Sequence, residues 1–188
     1  MSPSLTYSKN LLQLVLSPKN AWEDLRDAEL PPHQLMEKGF YPLLAIVAVT
    51  AMLNGLYGAA PYNYTRQLQL AITEVATLFA SLMLARAAFE TLLPKFAGCP
   101  CDIDRFSTVV IYCMSMMAVI SVISNLVPTT LSLIWFLPAF VLATAWQAHG
   151  YLEVSKIQYG TYFTISTLVL VGLPTAIAWV LGMLLGTD

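Results

Sequence analysis

Charge is what this sequence has least of. Only 11% of its 188 residues are Asp, Glu, Lys or Arg, against 57% hydrophobic, and the mean hydropathy is +0.68. A water-soluble domain usually carries about 25% charged residues, because each of its helices must keep one face wet. The charges present are also bunched. Of the 9 basic and 11 acidic residues, nine lie within residues 1–38.

A basic excess is missing too. The net charge of −2 provides no basic stripe to neutralise phosphates, which argues against nucleic acid as a partner. Cysteine is sparse, and Cys99, Cys101 and Cys113 do not resemble the framework of a disulfide-stapled secreted domain. The apolar stretch at 11–16 is short, is interrupted by Gln13 and leads into the charged segment 19–29, so no cleavable signal peptide is expected. There is no Gly-x-Ser-x-Gly elbow, His-Glu-x-x-His pair, Walker loop or Gly-x-Gly-x-x-Gly turn, each of which would announce a specific chemistry. The expectation is a protein that is not an enzyme, with no catalytic residues, cofactor or metal.

What the chain does have is long apolar runs. Five stretches, at about 41–57, 70–93, 106–126, 131–149 and 161–185, lack the polar face a soluble helix needs and approach or exceed the roughly 20 residues that cross a bilayer. Pro138 and Pro174 fall near the middle of the fourth and fifth runs, where each removes a backbone hydrogen bond. The predicted fold class is all-α: a polytopic bundle of five transmembrane helices (residues 41–188) behind an amphipathic N-terminal arm (residues 1–40).

Within the arm, Ser17-Pro18 reads as a helix start, with Ser as the cap and Pro in the first helical position. Leu11, Leu12, Val15 and Leu16 precede it at helical spacing, and Trp22 and Leu25 follow. Such a segment can lie flat among headgroups with Trp22 and Leu25 as interface anchors, or it can pack on the protein's own bundle. Leu30-Pro31-Pro32-His33 breaks the helix.

Lys and Arg in short loops mark the cytoplasmic side. With five spans, the arm and the loops after spans 2 and 4 share one side, which holds Lys9, Lys19, Arg26, Lys38, Lys95, Arg105 and Lys156; the other side holds Arg66. This predicts a cytoplasmic N-terminus and a C-terminus outside.

The second run contains Glu74, Arg86 and Glu90, the ionisable groups at membrane depth, where charge is costly and needs a partner. Arg86 and Glu90 are four apart and can form an ion pair; Glu74 faces roughly 120° away and needs another partner or a place near the interface. They are read either as a polar pathway or as a structural pair with Arg86 snorkelling. The loop Cys99-Pro100-Cys101-Asp102-Ile103-Asp104 offers too few ligands for a zinc site, and Asp102 or Asp104 is better placed to cap the third span. Ala178, Gly182 and Gly186, spaced by four, form a stripe that allows close helix packing, within the bundle or between copies.

The segment Leu16-Ser17-Pro18-Lys19-Asn20-Ala21-Trp22-Glu23-Asp24-Leu25, followed by a polar break and five apolar runs, resembles the bacterial branch of the Yip1-domain family, whose members commonly open with Pro-x-x-Ala-Trp. The Asp-Leu-Tyr-Gly-Pro hallmark of the eukaryotic branch is not present. The resemblance implies a non-enzymatic multipass protein of the bacterial inner membrane that organises lipid or scaffolds a membrane complex. Its partners would be membrane lipids, other membrane proteins or a second copy of itself. The alternative is a small transporter or channel component using the charges of the second span.

Overall fold

A computed structural model of the chain describes residues 3–28, 30–56, 62–100, 102–127 and 136–185. Every regular element among the described residues is helical. We number seven helical runs: α1 (Pro3–Leu16), α2 (Pro18–Ala28), α3 (Pro32–Asn54), α4 (Tyr64–Phe96), α5 (Ile103–Leu126), α6 (Pro138–Gln147) and α7 (Lys156–Leu185). Among these, α3, α4, α5 and α7 are long and apolar enough to cross a membrane.

The boundaries shift where proline was expected to act alone. Helix α3 starts at Pro32, nine residues before the apolar run, because Pro31 stays extended and Pro32 takes a first-turn position that needs no N–H donor. Helix α4 runs for 33 residues straight through Pro94, so the loop expected from residue 94 begins only after Phe96. Pro138 does not kink a span but opens α6 as its first residue. The fourth expected run, 131–149, is only partly within the described residues: 128–135 lie outside them, and α6 has 10 residues, or about 15 Å of rise.

Two segments widen to π-helical winding, Met36–Phe40 in α3 and Leu168–Gly172 in α7. Each is followed two residues later by a proline, Pro42 and Pro174. A proline ring collides with the carbonyl four residues back, here Lys38 and Leu170, and a wider turn moves that carbonyl aside. In α7 the proline is therefore absorbed locally.

Helix α5 is the centre. Phe106 through Met116 are buried without interruption, the pattern of a helix surrounded on all sides. Helices α3 and α4 flank it, the C-terminal half of α7 packs on α4, and α1 and α6 close its remaining face. At one end Asp102 caps α5, its Oδ1 accepting from the Arg105 backbone at 3.1 Å, as one of the two expected caps. Arg105 is bridged to Asp102 at 3.0 Å and to Glu153 at 2.7 Å, and its Nη1 also donates to the Tyr151 carbonyl at 3.3 Å. Val127 and Tyr151 are thus at opposite ends of α5.

The arm is packed into the bundle. Trp22 and Leu25 are only 2% and 5% exposed, so the interface-anchor role expected for them is corrected: they have almost no surface left for headgroups. The Trp22 indole donates to the Thr144 carbonyl at 3.0 Å and lies against Tyr112 and Tyr151, while Arg26 donates to the Gly150 carbonyl. Tyr7 stacks on Tyr112 at 5.3 Å between ring centroids, and its hydroxyl meets Ser115 Oγ. Since Ser115 is midway along α5, α1 enters the bundle to mid-depth. Gly39 makes room for it: a Cβ there would fall 2.3 Å from the Tyr7 ring.

Candidate functional site: a polar recess around Glu74

Helix α4 brings Glu74 and Thr77 onto one face because they are three residues apart. Asn63 caps the helix upstream, its side chain accepting from the Arg66 N–H at 3.2 Å, and this sets the register. Across from Glu74 is Asn125 in the last turn of α5. Its Nδ2 donates to Glu74 Oε2 at 2.8 Å, and its Oδ1 accepts from Asn54 Nδ2 of α3 at 3.4 Å. One carboxylate and two amides therefore tie three helices together.

Beside this chain is a cavity of about 360 Å³ between α4, α5 and α7. Thr73, Glu74, Thr77, Ser121, Ser124 and Asn125 supply its polar wall; Leu78, Met117, Ile120, Pro174, Thr175 and Ala178 complete it. Thr73 donates its hydroxyl to the Gln69 carbonyl at 2.8 Å. The Thr77 hydroxyl is buried and has no hydrogen-bond partner, a costly state for a polar group. Thr175 and Ala178 are exposed on the outer surface of the bundle, so the recess faces sideways.

The other two charges of the second span are elsewhere. Arg86 donates through Nε to Ser107 Oγ at 3.1 Å and through Nη1 towards Met36 Sδ at 3.4 Å. The ion pairs among the described residues are those of Arg105, so the expected Arg86–Glu90 pair is not formed. The physical reason is competition: Arg86 reaches across to α5 and α3, where Ser107 is fully buried and needs a partner, whereas Glu90 is only half-buried. The three charges therefore do not make one site. Between Glu74 and Arg86 on α4, Leu78 and Leu82 are buried.

Of the small-residue stripe, Ala178 lines the recess and Gly182 is buried, while Gly186 is outside the described residues. Cys99 is buried, with its thiol near the Ala97 carbonyl, and burial pushes that thiol up to about 11; Cys101 is outside the described residues. His149 Nδ1 meets the Trp146 carbonyl at 2.6 Å, and its ring lies against Tyr159, contacts that hold it in place. His33 is exposed.

Asn125 is the residue sequence reading passed over. It sits at the end of an apolar run before a proline turn and reads as a turn former; only the fold shows that it faces a carboxylate 51 residues away. Asn54, the polar interruption of the first run, was the available signal. No protein-family model, curated protein or solved structure matches the chain, and the Yip1-domain resemblance draws no support from these comparisons.

Proposed function

We propose that this chain is a non-enzymatic, multipass protein of the bacterial inner membrane that organises lipid, crossing the bilayer five times with a cytoplasmic N-terminus. The observation that carries the reading is the sideways recess around Glu74: its polar wall meets the outer surface of the bundle at Thr175 and Ala178, where lipid would be the neighbour. A fifth crossing is supported by the return of the chain from Val127 to Tyr151 beside Arg105. The orientation is supported by seven basic residues on the arm side against Arg66 on the other. The Yip1-like character is supported by the arm's Pro18-Lys19-Asn20-Ala21-Trp22 segment. Lipid retention tests the reading. Protein purified in mild detergent should carry phospholipid through detergent exchange at levels above a single-span control peptide; a folded preparation free of lipid would count against it.

Transport is the second reading, favoured by one observation. Glu74 is followed on α4 by Thr77 and Ser81, both with buried and unpartnered hydroxyls, and such a row could pass a proton or cation. The buried Leu78 and Leu82 on the same stretch weigh against it. Flux into proteoliposomes for wild type and Glu74→Gln separates the two: flux equal to that of empty liposomes removes transport of the tested solute.

A further inference from the structure

We infer that the Glu74 recess binds a primary ammonium group, carried by an aminophospholipid headgroup or by a small soluble amine. The inference deepens the lipid reading by naming the headgroup chemistry the recess selects. Asn125 is committed at both ends, its amide nitrogen to Glu74 Oε2 and its carbonyl oxygen to Asn54, which fixes the orientation of its amide. No other hydrogen bond to the Glu74 carboxylate occurs among the described residues, and Oε1 is left to the recess. The Thr77 hydroxyl, one turn along and lining the same cavity, is unpartnered in a residue only 7% exposed.

The charged member of the wall is an acceptor. The carboxylate only accepts, the Thr77, Ser121 and Ser124 hydroxyls can accept as well as donate, and the neighbouring Thr73 hydroxyl has its proton on the Gln69 carbonyl. An occupant that pairs with the carboxylate and also donates to a neighbouring hydroxyl must carry positive charge and present more than one N–H. A primary ammonium has both, with three donors about one nitrogen, and charge-assisted hydrogen bonds to a carboxylate are the strong ones. A quaternary headgroup has the charge but no donor, so it would leave Thr77 unpaired. The volume of about 360 Å³ accommodates an ethylammonium-sized group. The apolar side of the recess, Met117, Ile120 and Leu78, suits the methylenes behind it. Asn54 and Asn125 are in the last turns of α3 and α5, so the recess is near the end of the bundle remote from Arg105, at a level headgroups can reach.

The test is headgroup preference in nanodiscs containing phosphatidylethanolamine, phosphatidylcholine or phosphatidylglycerol, read by native mass spectrometry for wild type, Glu74→Gln and Thr77→Val. Wild type should retain phosphatidylethanolamine about tenfold over phosphatidylcholine, the scale of one charge-assisted hydrogen bond. Glu74→Gln keeps the shape and an acceptor for Asn125, and should reduce that preference to about twofold or less; Thr77→Val should give an intermediate value. Ethylammonium chloride, added to delipidated protein in detergent, should raise the unfolding temperature of wild type but not of Glu74→Gln. A rise there without preference among lipids assigns the source to a soluble amine. An equal rise with sodium chloride, or a wild-type lipid preference unchanged in Glu74→Gln, overturns the inference. Lipid retention without headgroup preference, together with no response to ethylammonium, sinks the inference alone; absence of any retained lipid sinks the lipid reading as well.

Discussion

The indole nitrogen of Trp22 donates to the backbone carbonyl of Thr144 at 3.0 Å, which fastens the N-terminal arm to α6. The ring is simultaneously edge-on to Tyr112 and tilted against Tyr151. Trp22→Phe should keep most of the burial and lose the hydrogen bond, costing about 1 kcal/mol. Trp22→Ala should cost about 3–5 kcal/mol through the cavity it leaves. Thermal unfolding of the detergent-solubilised variants measures both, and an unchanged Trp22→Ala would mean the arm is not packed.

Gly39 and Tyr7 should behave as a coupled pair. With a Cβ on residue 39 only 2.3 Å from the Tyr7 ring, and that ring held against Tyr112 and Ser115, Gly39→Ala should destabilise by about 1–3 kcal/mol from overpacking. Combining it with Tyr7→Leu should cost less than the sum of the two single changes. Additive effects in the double-mutant cycle would contradict the contact.

Asn125→Ala should destabilise by about 1–3 kcal/mol, because it removes the hydrogen-bond partner of a half-buried carboxylate. Glu74→Gln in the Asn125→Ala background should recover part of that loss, since a neutral amide is cheaper to leave unpaired. Chemical or thermal unfolding of the two proteins reads the difference.

The Arg105–Glu153 bridge predicts a pH dependence. Hydrogen bonding and charge from Arg105 hold the Glu153 carboxyl below its usual range. A carboxyl lowered in the folded state contributes stability that is present above its unfolded value of about 4.3 and is lost as pH falls through the lower folded value. The unfolding-temperature difference between wild type and Glu153→Gln should therefore be present at pH 7 and shrink as pH falls below about 4. A difference that grows in acid would have the wrong sign.

Cys99 should be a poor nucleophile. Its thiol is buried and pushed up to about 11, which leaves very little thiolate at pH 8. In a Cys101→Ser background, alkylation of Cys99 at pH 8 should be roughly a hundredfold slower than that of an exposed thiol, by peptide mass mapping.

Much of this architecture was legible because apolar run length and charge spacing are one-dimensional properties. The four long helices follow from them, as do the Ser17-Pro18 start and the Asp102 cap. Pairings across helices were not legible. Arg86 and Glu90 are four apart, the spacing of an ion pair, yet Arg86 instead reaches the buried Ser107, which only the three-dimensional neighbourhood could reveal. Trp22 and Leu25 illustrate the same limit: an amphipathic face reads identically whether it meets headgroups or another helix, and here it meets α5 and α6. Glu74 was marked by its cost at membrane depth, but its partner Asn125 carried no comparable signal.

The placement of the two chain ends is the most direct test of the proposal that the bundle crosses the membrane five times with its N-terminal arm inside. Reporters fused separately to each terminus, one type active only in the cytoplasm and the other only outside, should place Met1 inside and Asp188 outside. Both ends reporting the same compartment would mean an even number of crossings and would contradict the account.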